Sequence, residues 1–390
     1  MLSLRPLVVI LTVGIISGGL FFVKVKSKNE KTNNGQFVNI SAANRVTETP
    51  IPSPPSKVKS TTLNQDKSGD VIIPKIAGQI DCAGETHNKL ICFRDFYSNL
   101  IQKGGVKIAL SDIKARYDID PFVRSQCHQL THVIGREAAI LYPTAPQAFA
   151  HGDSFCWSGY YHGAMEALVS KVEREEVGKK LDSFCVDIPG KKNFSFDYYN
   201  CVHGLGHGAM SILNNELPSS LALCDNLTGA WEKSSCWSGA FMENIIADEI
   251  NHVSKYLKDD DPLYPCDFVD GKYKNTCYLM QTSRMLALVQ SNFAKVFDLC
   301  SSVEEPYIDT CYQSLGRDAS GRSVSNLEQT KTTCLLGKNY REQSNCIVGA
   351  VKDFISYFHS DKQALGLCSA VPKDLEPICL QTVSSYYKQF

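Results

Sequence analysis

The sequence lacks the short motifs that mark several large classes of enzyme and cofactor-binding protein. None of its 16 cysteines forms a Cys-x-x-Cys pair, which removes the usual signature of structural zinc, of thioredoxin-like redox chemistry and of attached haem. The chain also has no Gly-x-Ser-x-Gly elbow, no His-Glu-x-x-His helix and no phosphate-binding Walker loop. Any catalysis by this protein is therefore expected to depend on a bound metal.

An excess of charge of either sign is also absent. The 390 residues carry 40 basic and 41 acidic side chains, for a net charge of -1, and no long basic stripe occurs in the part expected to fold. Nucleic-acid binding generally relies on such a stripe or patch. The sequence therefore argues against a nucleic-acid partner.

The cysteines that are present form a regular ladder. Four of them are spaced 34 residues apart, and each is followed 11 or 12 residues later by another: Cys266 by Cys277, Cys300 by Cys311, Cys334 by Cys346, and Cys368 by Cys379. Three further pairs are close in sequence: Cys82 and Cys92, Cys224 and Cys236, and, more loosely, Cys185 and Cys201. Cys127 and Cys156 are left to pair with each other. The ladder predicts up to eight disulfides, each contributing roughly 2 to 3 kcal/mol in a chain-entropy estimate.

The 34-residue period has the length of one pair of α-helices, which can bury its apolar face only against a neighbouring pair. Apolar residues after Cys346 recur at intervals of three and four, as a helix with one buried face requires. The unit from Cys266 predicts a longer helix at about 276–289 and a shorter one at 292–299. We therefore predict an all-α fold, a right-handed solenoid of α-hairpins cross-linked by up to eight disulfides.

The N-terminal part differs in composition from the cysteine-rich part. Residues 1–26 contain an apolar run, 6–23, and are expected to be a signal sequence or an N-terminal membrane anchor. A retained anchor is favoured because no strong cleavage site stands out. Residues 27–75 are rich in Ser, Thr, Asn, Lys and Pro and predict a disordered stalk. Residues 76–390 form the predicted Cys-rich repeat domain.

Two signals disagree about the side of the membrane on which this domain lies. Four lysines follow the apolar run and only Arg5 precedes it, so the positive-inside rule would place the C-terminal side in the cytosol. Disulfides, in contrast, persist in oxidising compartments. Because 16 pairable cysteines outweigh a few lysines, we expect an extracytoplasmic domain that is periplasmic, secreted or on the cell surface.

Histidine breaks the repeat in one region of the chain. The longer helices can be aligned on their leading cysteines. The residue six positions after the cysteine is then His162 in the helix of Cys156 and His207 in the helix of Cys201. His132 joins this row with a shift of one residue. The same position in the following helices is occupied by other residue types: Met242, Ser283, Arg317 and Lys352. Three consecutive helices thus carry histidine at one structural position.

Each of these three helices carries a second candidate ligand four residues away, on the same helix face. The pairs are His128 with His132, His203 with His207, and His162 with Glu166. Two imidazoles at this spacing can bind one metal at about 2.0 to 2.1 Å, and helices packed about 8 to 10 Å apart can bring the pairs together. We predict a divalent metal site within residues 127–211, holding zinc, copper or iron. Glu166 or Glu137 is the predicted general base.

A structural explanation competes with the metal site. In it, the histidines hydrogen-bond to neighbouring loops, and the repeats merely share ancestry. The glycines of the stretch 203–208 favour a site, because each costs roughly 0.8 to 1.0 kcal/mol relative to alanine inside a helix. Close helix packing accounts for Gly204 but not for Gly206 or Gly208, so we expect a bound ligand or a deformed helix there.

In repeat length and disulfide-linked hairpins, the part from about residue 80 to 390 resembles Sel1-like and tetratricopeptide-like repeat proteins. The resemblance concerns architecture only, since the tetratricopeptide pattern of Trp, Leu-Gly and Tyr is absent, and it implies a curved superhelix with a concave binding surface. Two functions stay open. One is a metal-dependent hydrolase or oxidase in which residues 212–390 are scaffold. The other is a non-catalytic interaction module that binds a peptide, glycan or protein on the concave face.

Overall fold

Helices provide the regular structure of the residues that the computed structural model describes, which are 82, 89–246, 254–323 and 326–387. All of them belong to one unit of the chain, Leu63–Phe390, and the other unit, Met1–Thr62, lies outside them. The predicted anchor, residues 1–26, and the predicted stalk, residues 27–75, are likewise outside the described residues. Of the described helices, none is long and apolar enough to cross a membrane.

The described residues form 17 α-helices and one short 3-10 helix, Lys191–Asn193, and they contain no β-strand. The predicted all-α class is therefore confirmed. The helices are α1 Lys89–Gly104, α2 Val106–Ile119, α3 Pro121–Ser125, α4 Cys127–Leu141, α5 Ala145–Phe149, α6 Gly159–Val169, α7 Arg174–Phe184, α8 Phe196–Ile212, α9 Leu217–Cys224, α10 Ala230–Ile245, α11 Gly271–Leu288, α12 Phe293–Ser301, α13 Ile308–Arg322, α14 Leu327–Cys334, α15 Tyr340–Phe358, α16 Lys362–Ala370 and α17 Glu376–Tyr387.

The longer helices of the C-terminal half begin well before their cysteines. The helix predicted to begin near residue 276 begins at Gly271, and α15 begins at Tyr340, ahead of Cys346. Asp270 caps α11, because its side chain accepts a hydrogen bond from the Lys272 backbone N–H at 3.1 Å. Such a polar cap lies outside the apolar periodicity. The periodicity alone therefore placed the start of α11 too late.

All eight predicted disulfides are present, with the pairing that the sequence predicts. They join Cys82 to Cys92, Cys127 to Cys156, Cys185 to Cys201, Cys224 to Cys236, Cys266 to Cys277, Cys300 to Cys311, Cys334 to Cys346, and Cys368 to Cys379. Their Cα atoms are 5.4 to 5.8 Å apart, in the usual range for a disulfide. The predicted ladder of cysteine pairs is therefore confirmed.

The bond between Cys127 and Cys156 has the largest sequence separation of the eight, 29 residues. It joins the start of α4 to the segment before α6. These two helices carry three of the predicted histidine ligands. The disulfide whose two cysteines lie farthest apart in sequence thus links two helices of the candidate site.

Consecutive longer helices pack against one another along the chain. α4 contacts α6, α6 contacts α8, α8 contacts α10, and the row continues through α11, α13, α15 and α17. The shorter helices α9, α12, α14 and α16 pack against longer helices that are close to them in sequence. Three clusters of buried apolar side chains follow one another along this row. The core is thus extended along the chain, and the histidines lie in its N-terminal half.

Helix α8 is packed closely on both sides, and its glycines make this possible. A Cβ added to Gly206 would lie 2.0 Å from the Cys236 carbonyl oxygen of α10. On the other side, a Cβ at Gly204 would lie 2.6 Å from Met165 Cβ of α6, and Gly208 meets α6 in the same way. The expectation that close packing explains only Gly204 is therefore wrong. Contacts with two neighbouring helices account for all three glycines.

Segments far apart in sequence also meet near the histidine-bearing helices. The Ser154 hydroxyl donates to the Tyr357 carbonyl oxygen at 3.3 Å. The Phe196 ring, at the start of α8, lies 4.1 Å from the His359 ring, measured between centroids. The part of the chain that carries the histidines therefore contacts the end of α15 as well as its neighbours in sequence.

Candidate metal centre

Three neighbouring helices bring five histidine side chains into one buried cluster. α4 carries His128 and His132, α6 carries His162, and α8 carries His203 and His207. The centroid of the His162 ring lies 4.4 Å from that of His207 and 4.7 Å from that of His203. All five side chains are buried. The structure therefore brings together the five histidines that the sequence predicts as metal ligands.

Within each His-x-x-x-His pair, the two side chains turn their Nε2 atoms toward each other. His128 Nε2 and His132 Nε2 are 3.1 Å apart, and His203 Nε2 and His207 Nε2 are 3.2 Å apart. Two nitrogens at such a separation, each about 2.05 Å from one ion, subtend an angle of roughly 100°, which is close to tetrahedral coordination. Each pair thus has the spacing of two ligands to one metal ion.

The opposite ring nitrogen, Nδ1, faces an oxygen acceptor in two of these histidines. His128 Nδ1 lies 2.8 Å from the Cys156 carbonyl oxygen, and His207 Nδ1 lies 2.5 Å from Glu243 Oε2. A carbonyl or carboxylate oxygen has no hydrogen to give, so each Nδ1 is the donor. In a neutral imidazole this leaves Nε2 with a lone pair. His128, and His207 in its neutral form, therefore present Nε2 in the form that ligates metals.

His203 is oriented in the same way by a hydroxyl group. Its Nδ1 lies 2.7 Å from Ser238 Oγ, and the Ser238 hydroxyl donates its own hydrogen to the Ser235 carbonyl oxygen at 2.7 Å. His203 Nδ1 therefore donates, and the Tyr199 hydroxyl oxygen, 3.1 Å away, accepts from the same N–H. When His207 is neutral as well, the lone pairs of His203 Nε2 and His207 Nε2 face each other at 3.2 Å. That arrangement is unfavourable unless a cation lies between them.

The remaining two histidines have an Nδ1 atom without a hydrogen-bond partner. This holds for His132 and His162 among the described residues, although both side chains are buried. Glu166 Oε2 lies 3.6 Å from His132 Nδ1, beyond hydrogen-bonding distance, and 2.8 Å from a guanidinium nitrogen of Arg136. Buried polar atoms are almost always paired. The two unpaired nitrogens therefore add to the number of candidate ligand atoms.

Burial favours the neutral form of four of the five imidazoles, those of His128, His132, His162 and His203. Removal from water lowers the pKa of His128, His162 and His203 well below 6.5, and the neighbouring imidazoles lower it further. Burial also lowers the pKa of His132, although contact with Glu166 opposes the shift. The neutral imidazole is the form that binds metal ions. These side chains therefore need lose no proton before they bind a metal at neutral pH.

The two glutamates predicted as general bases lie in different places. Glu166 borders the cluster and lines a cavity of about 290 Å³. Burial raises its pKa, but contact with His132 and the charge of Arg136 outweigh burial and lower the pKa to about 2, so Glu166 is ionised at neutral pH. Glu137 instead accepts a hydrogen bond from the Ser98 hydroxyl of α1 at 2.8 Å. The structure therefore brings Glu166, and not Glu137, to the histidines.

Glu243 is the site residue that the sequence reasoning missed. It follows Met242, the residue that continues the histidine row on α10, and its side chain is buried against His207. The search for ligands considered one aligned position in each helix and looked there for histidine. A carboxylate one residue after that position was therefore overlooked. A glutamate next to the row position, in a helix with a buried face, was the available signal.

The cluster contains three groups of side chains whose ligand atoms all lie within 4.8 Å of one another. Among the described residues the first group is His128, His132 and His162, the second is His162, His203 and His207, and the third is His132, His207 and Glu243. Each of these buried groups could hold a metal ion. Comparisons with protein-family models, with curated proteins and with solved structures find no match to this chain. Its function is therefore inferred from its own residues.

Proposed function

We propose that this protein is a metalloprotein whose buried histidine cluster holds one or two divalent transition metal ions. The observation that carries the proposal is the pattern of hydrogen bonds made by the Nδ1 atoms of the histidines. In three of the histidines Nδ1 donates to an oxygen, while Nε2 faces another imidazole. Histidines that ligate metals are held in this way by carbonyl and carboxylate groups, which fix the tautomer and the ring orientation.

The two His-x-x-x-His pairs supply the core of two ion positions. His128 and His132 form one, and His203 and His207 form the other. His162 belongs to the ligand group of each pair, so its side chain lies between the two positions. Zinc, copper and iron all accept imidazole ligands. The proposed cofactor is therefore one of these three metals.

The metal would supply its chemistry beside a fixed carboxylate. Zinc lowers the pKa of a bound water and polarises carbonyl or phosphoryl oxygens, whereas copper or iron suits reactions with oxygen. Glu166 is ionised and lines a cavity of about 290 Å³. We propose Glu166 as the group that accepts a proton from a molecule in that cavity. The proposed activity is that of a metal-dependent hydrolase or oxidase.

This activity is proposed to lie outside the cytosol. Eight disulfides support an oxidising compartment. Residues 1–26 are the proposed membrane anchor, and residues 27–75 are the proposed stalk that separates the helical domain from the membrane. The order in which the longer helices pack supports a solenoid of α-hairpins, for which a right-handed course is proposed and in which residues 212–390 serve as scaffold.

Elemental analysis of the protein purified with its disulfides intact tests the proposal. We expect about one or two equivalents of zinc, copper or iron per chain and less metal in the His207→Ala variant. His151→Ala is the matched control, because His151 stacks on Tyr142 outside the cluster and should leave the metal content unchanged. Circular dichroism would verify that both variants fold.

The same measurement decides against the proposal if no stoichiometric metal is found even after zinc, copper and iron are offered. In that case the interaction module becomes the better proposal, with a peptide, glycan or protein bound on a concave face of the solenoid. Equal metal contents in the two variants would also overturn the assignment, since they would place the metal away from His207.

A further inference from the structure

Met242 on α10 extends the ligand set of the His203 and His207 pair. Its Sδ lies 3.3 Å from His203 Nε2, and its side chain is partly buried. The contact exists because α8 and α10 cross closely: a Cβ at Gly239 would lie 1.9 Å from the His203 carbonyl oxygen. Met242 follows Gly239 by about one helical turn, so the crossing brings its sulfur to the imidazole.

The contact between Met242 and His203 is not an N–H···S hydrogen bond. His203 Nδ1 carries the ring hydrogen because it donates to Ser238, so Nε2 presents a lone pair. In the neutral form of His207, in which Nδ1 donates to Glu243, its Nε2 presents a lone pair as well. With both imidazoles neutral, a nitrogen and a sulfur approach His203 Nε2 at 3.2 and 3.3 Å with no hydrogen between them. A cation makes this convergence favourable.

The two separations measured from His203 Nε2 fit ligands that share an ion. With a metal–nitrogen distance of about 2.05 Å and a metal–sulfur distance of about 2.3 Å, a nitrogen–sulfur separation of 3.3 Å corresponds to an angle of roughly 100° at the metal. The two nitrogens of the pair subtend nearly the same angle. Each of the two contacts of His203 Nε2, with His207 Nε2 and with Met242 Sδ, therefore has the spacing of two ligands to one ion.

The two ends of the cluster thus differ chemically. The ligand group on α4 and α6 offers nitrogen only, whereas the end on α8 and α10 adds a thioether. Thioether sulfur selects copper(I), while imidazole alone serves zinc, copper and iron alike. We infer that His203, His207 and Met242 form a copper(I) position, chemically distinct from the all-nitrogen position. This inference rests on the proposed metal-binding function.

Competition with a chromophoric copper(I) chelator tests the assignment. No cysteine of the described residues is free, so thiolates do not compete, and ascorbate keeps copper reduced while the disulfides stay intact. We expect Met242→Leu to lower the copper(I) affinity about 10- to 100-fold and to leave the zinc affinity unchanged. Met210→Leu is the matched control, because Met210 is buried in the apolar core on α8, and both affinities should stay at the wild-type value.

X-ray absorption of the copper(I)-loaded proteins gives a second readout. A sulfur ligand should be seen in the wild-type protein and in the Met210→Leu variant, and it should be missing in Met242→Leu. If the wild-type protein binds no metal, the proposed function and this inference both fail. If metal binding depends on His203 and His207 but Met242→Leu keeps full copper(I) affinity, only the thioether assignment fails.

Discussion

Asp353 on α15 shows how a single partly buried side chain outside the histidine cluster affects stability. Burial raises the pKa of its carboxyl group from 3.8 to about 6, although the hydrogen bond from Ser320 and the charge of Arg317 oppose the shift. Because the folded-state pKa is the higher one, the folded protein binds more protons between pH 4 and 6. The stability that Asp353 contributes is therefore lost as the pH rises through this range.

We predict that Asp353→Asn stabilises the protein at neutral pH. The asparagine side chain keeps an oxygen that can accept from Ser320, and it removes the partly buried charge. The free energy of unfolding at pH 7 should rise by about 1 to 3 kcal/mol, and the gain should disappear near pH 4. Urea denaturation at both pH values measures this. Asp374→Asn is the control, since Asp374 is exposed; an equal effect of both substitutions, or a loss of stability at pH 7, would contradict the prediction.

At the scale of helices, the close packing of α8 against α10 depends on Gly206. An alanine Cβ at this position would lie 2.0 Å from the Cys236 carbonyl oxygen, which cannot move without shifting α10. We expect Gly206→Ala to lower the free energy of unfolding by about 3 kcal/mol, at the upper end of the usual cost of overpacking. Urea denaturation at constant pH measures the loss.

Gly271→Ala is the matched control for Gly206→Ala. Gly271 is the first residue of α11, and no atom lies within 4 Å of a Cβ built on it. Alanine has a better helix propensity than glycine by up to about 1 kcal/mol. The control should therefore be neutral or slightly stabilising. A Gly206→Ala variant as stable as the control would show that α8 and α10 can separate at little cost.

The same helices show what periodicity and residue spacing predict and what they do not. The helices themselves and the shared face of His203 and His207 could be predicted, because both depend on residues three and four apart. The start of α11 could not, since it depends on the cap provided by Asp270. The role of Gly206 was misassigned, because the sequence alone does not show that α8 packs closely against both α6 and α10.

Over the whole molecule, the disulfides were predictable because most of the paired cysteines are close in sequence. The convergence of the histidines was predictable too, since the cysteine ladder aligns neighbouring helices. Glu243 and the contact between Ser154 and Tyr357 were not predicted, because they depend on how helices approach one another in space. Residues that hydrogen-bond to the candidate ligands, such as Glu243, were therefore harder to predict than the ligands themselves.

The buried histidines should link the stability of the metal-free protein to pH. Burial lowers the pKa of His128, His132, His162 and His203 in the folded state, whereas in the unfolded chain each side chain titrates near 6.5. Below that pH the unfolded state binds more protons than the folded state, so unfolding becomes more favourable. The stability from these groups is thus present above about pH 6.5 and is lost as the pH falls.

Urea denaturation of chelator-treated protein between pH 8 and 5, with disulfides intact, tests this linkage. Below pH 6 the free energy of unfolding should fall by up to about 1.4 kcal/mol per pH unit for each buried histidine. His162→Gln should reduce this slope, because it removes one of the titrating groups, whereas His151→Ala should keep the slope of the wild-type protein. A free energy of unfolding that stays constant from pH 8 to 5 would mean that the imidazoles are reached by water and protonated in the folded state. It would then contradict the buried, neutral cluster from which metal binding is inferred.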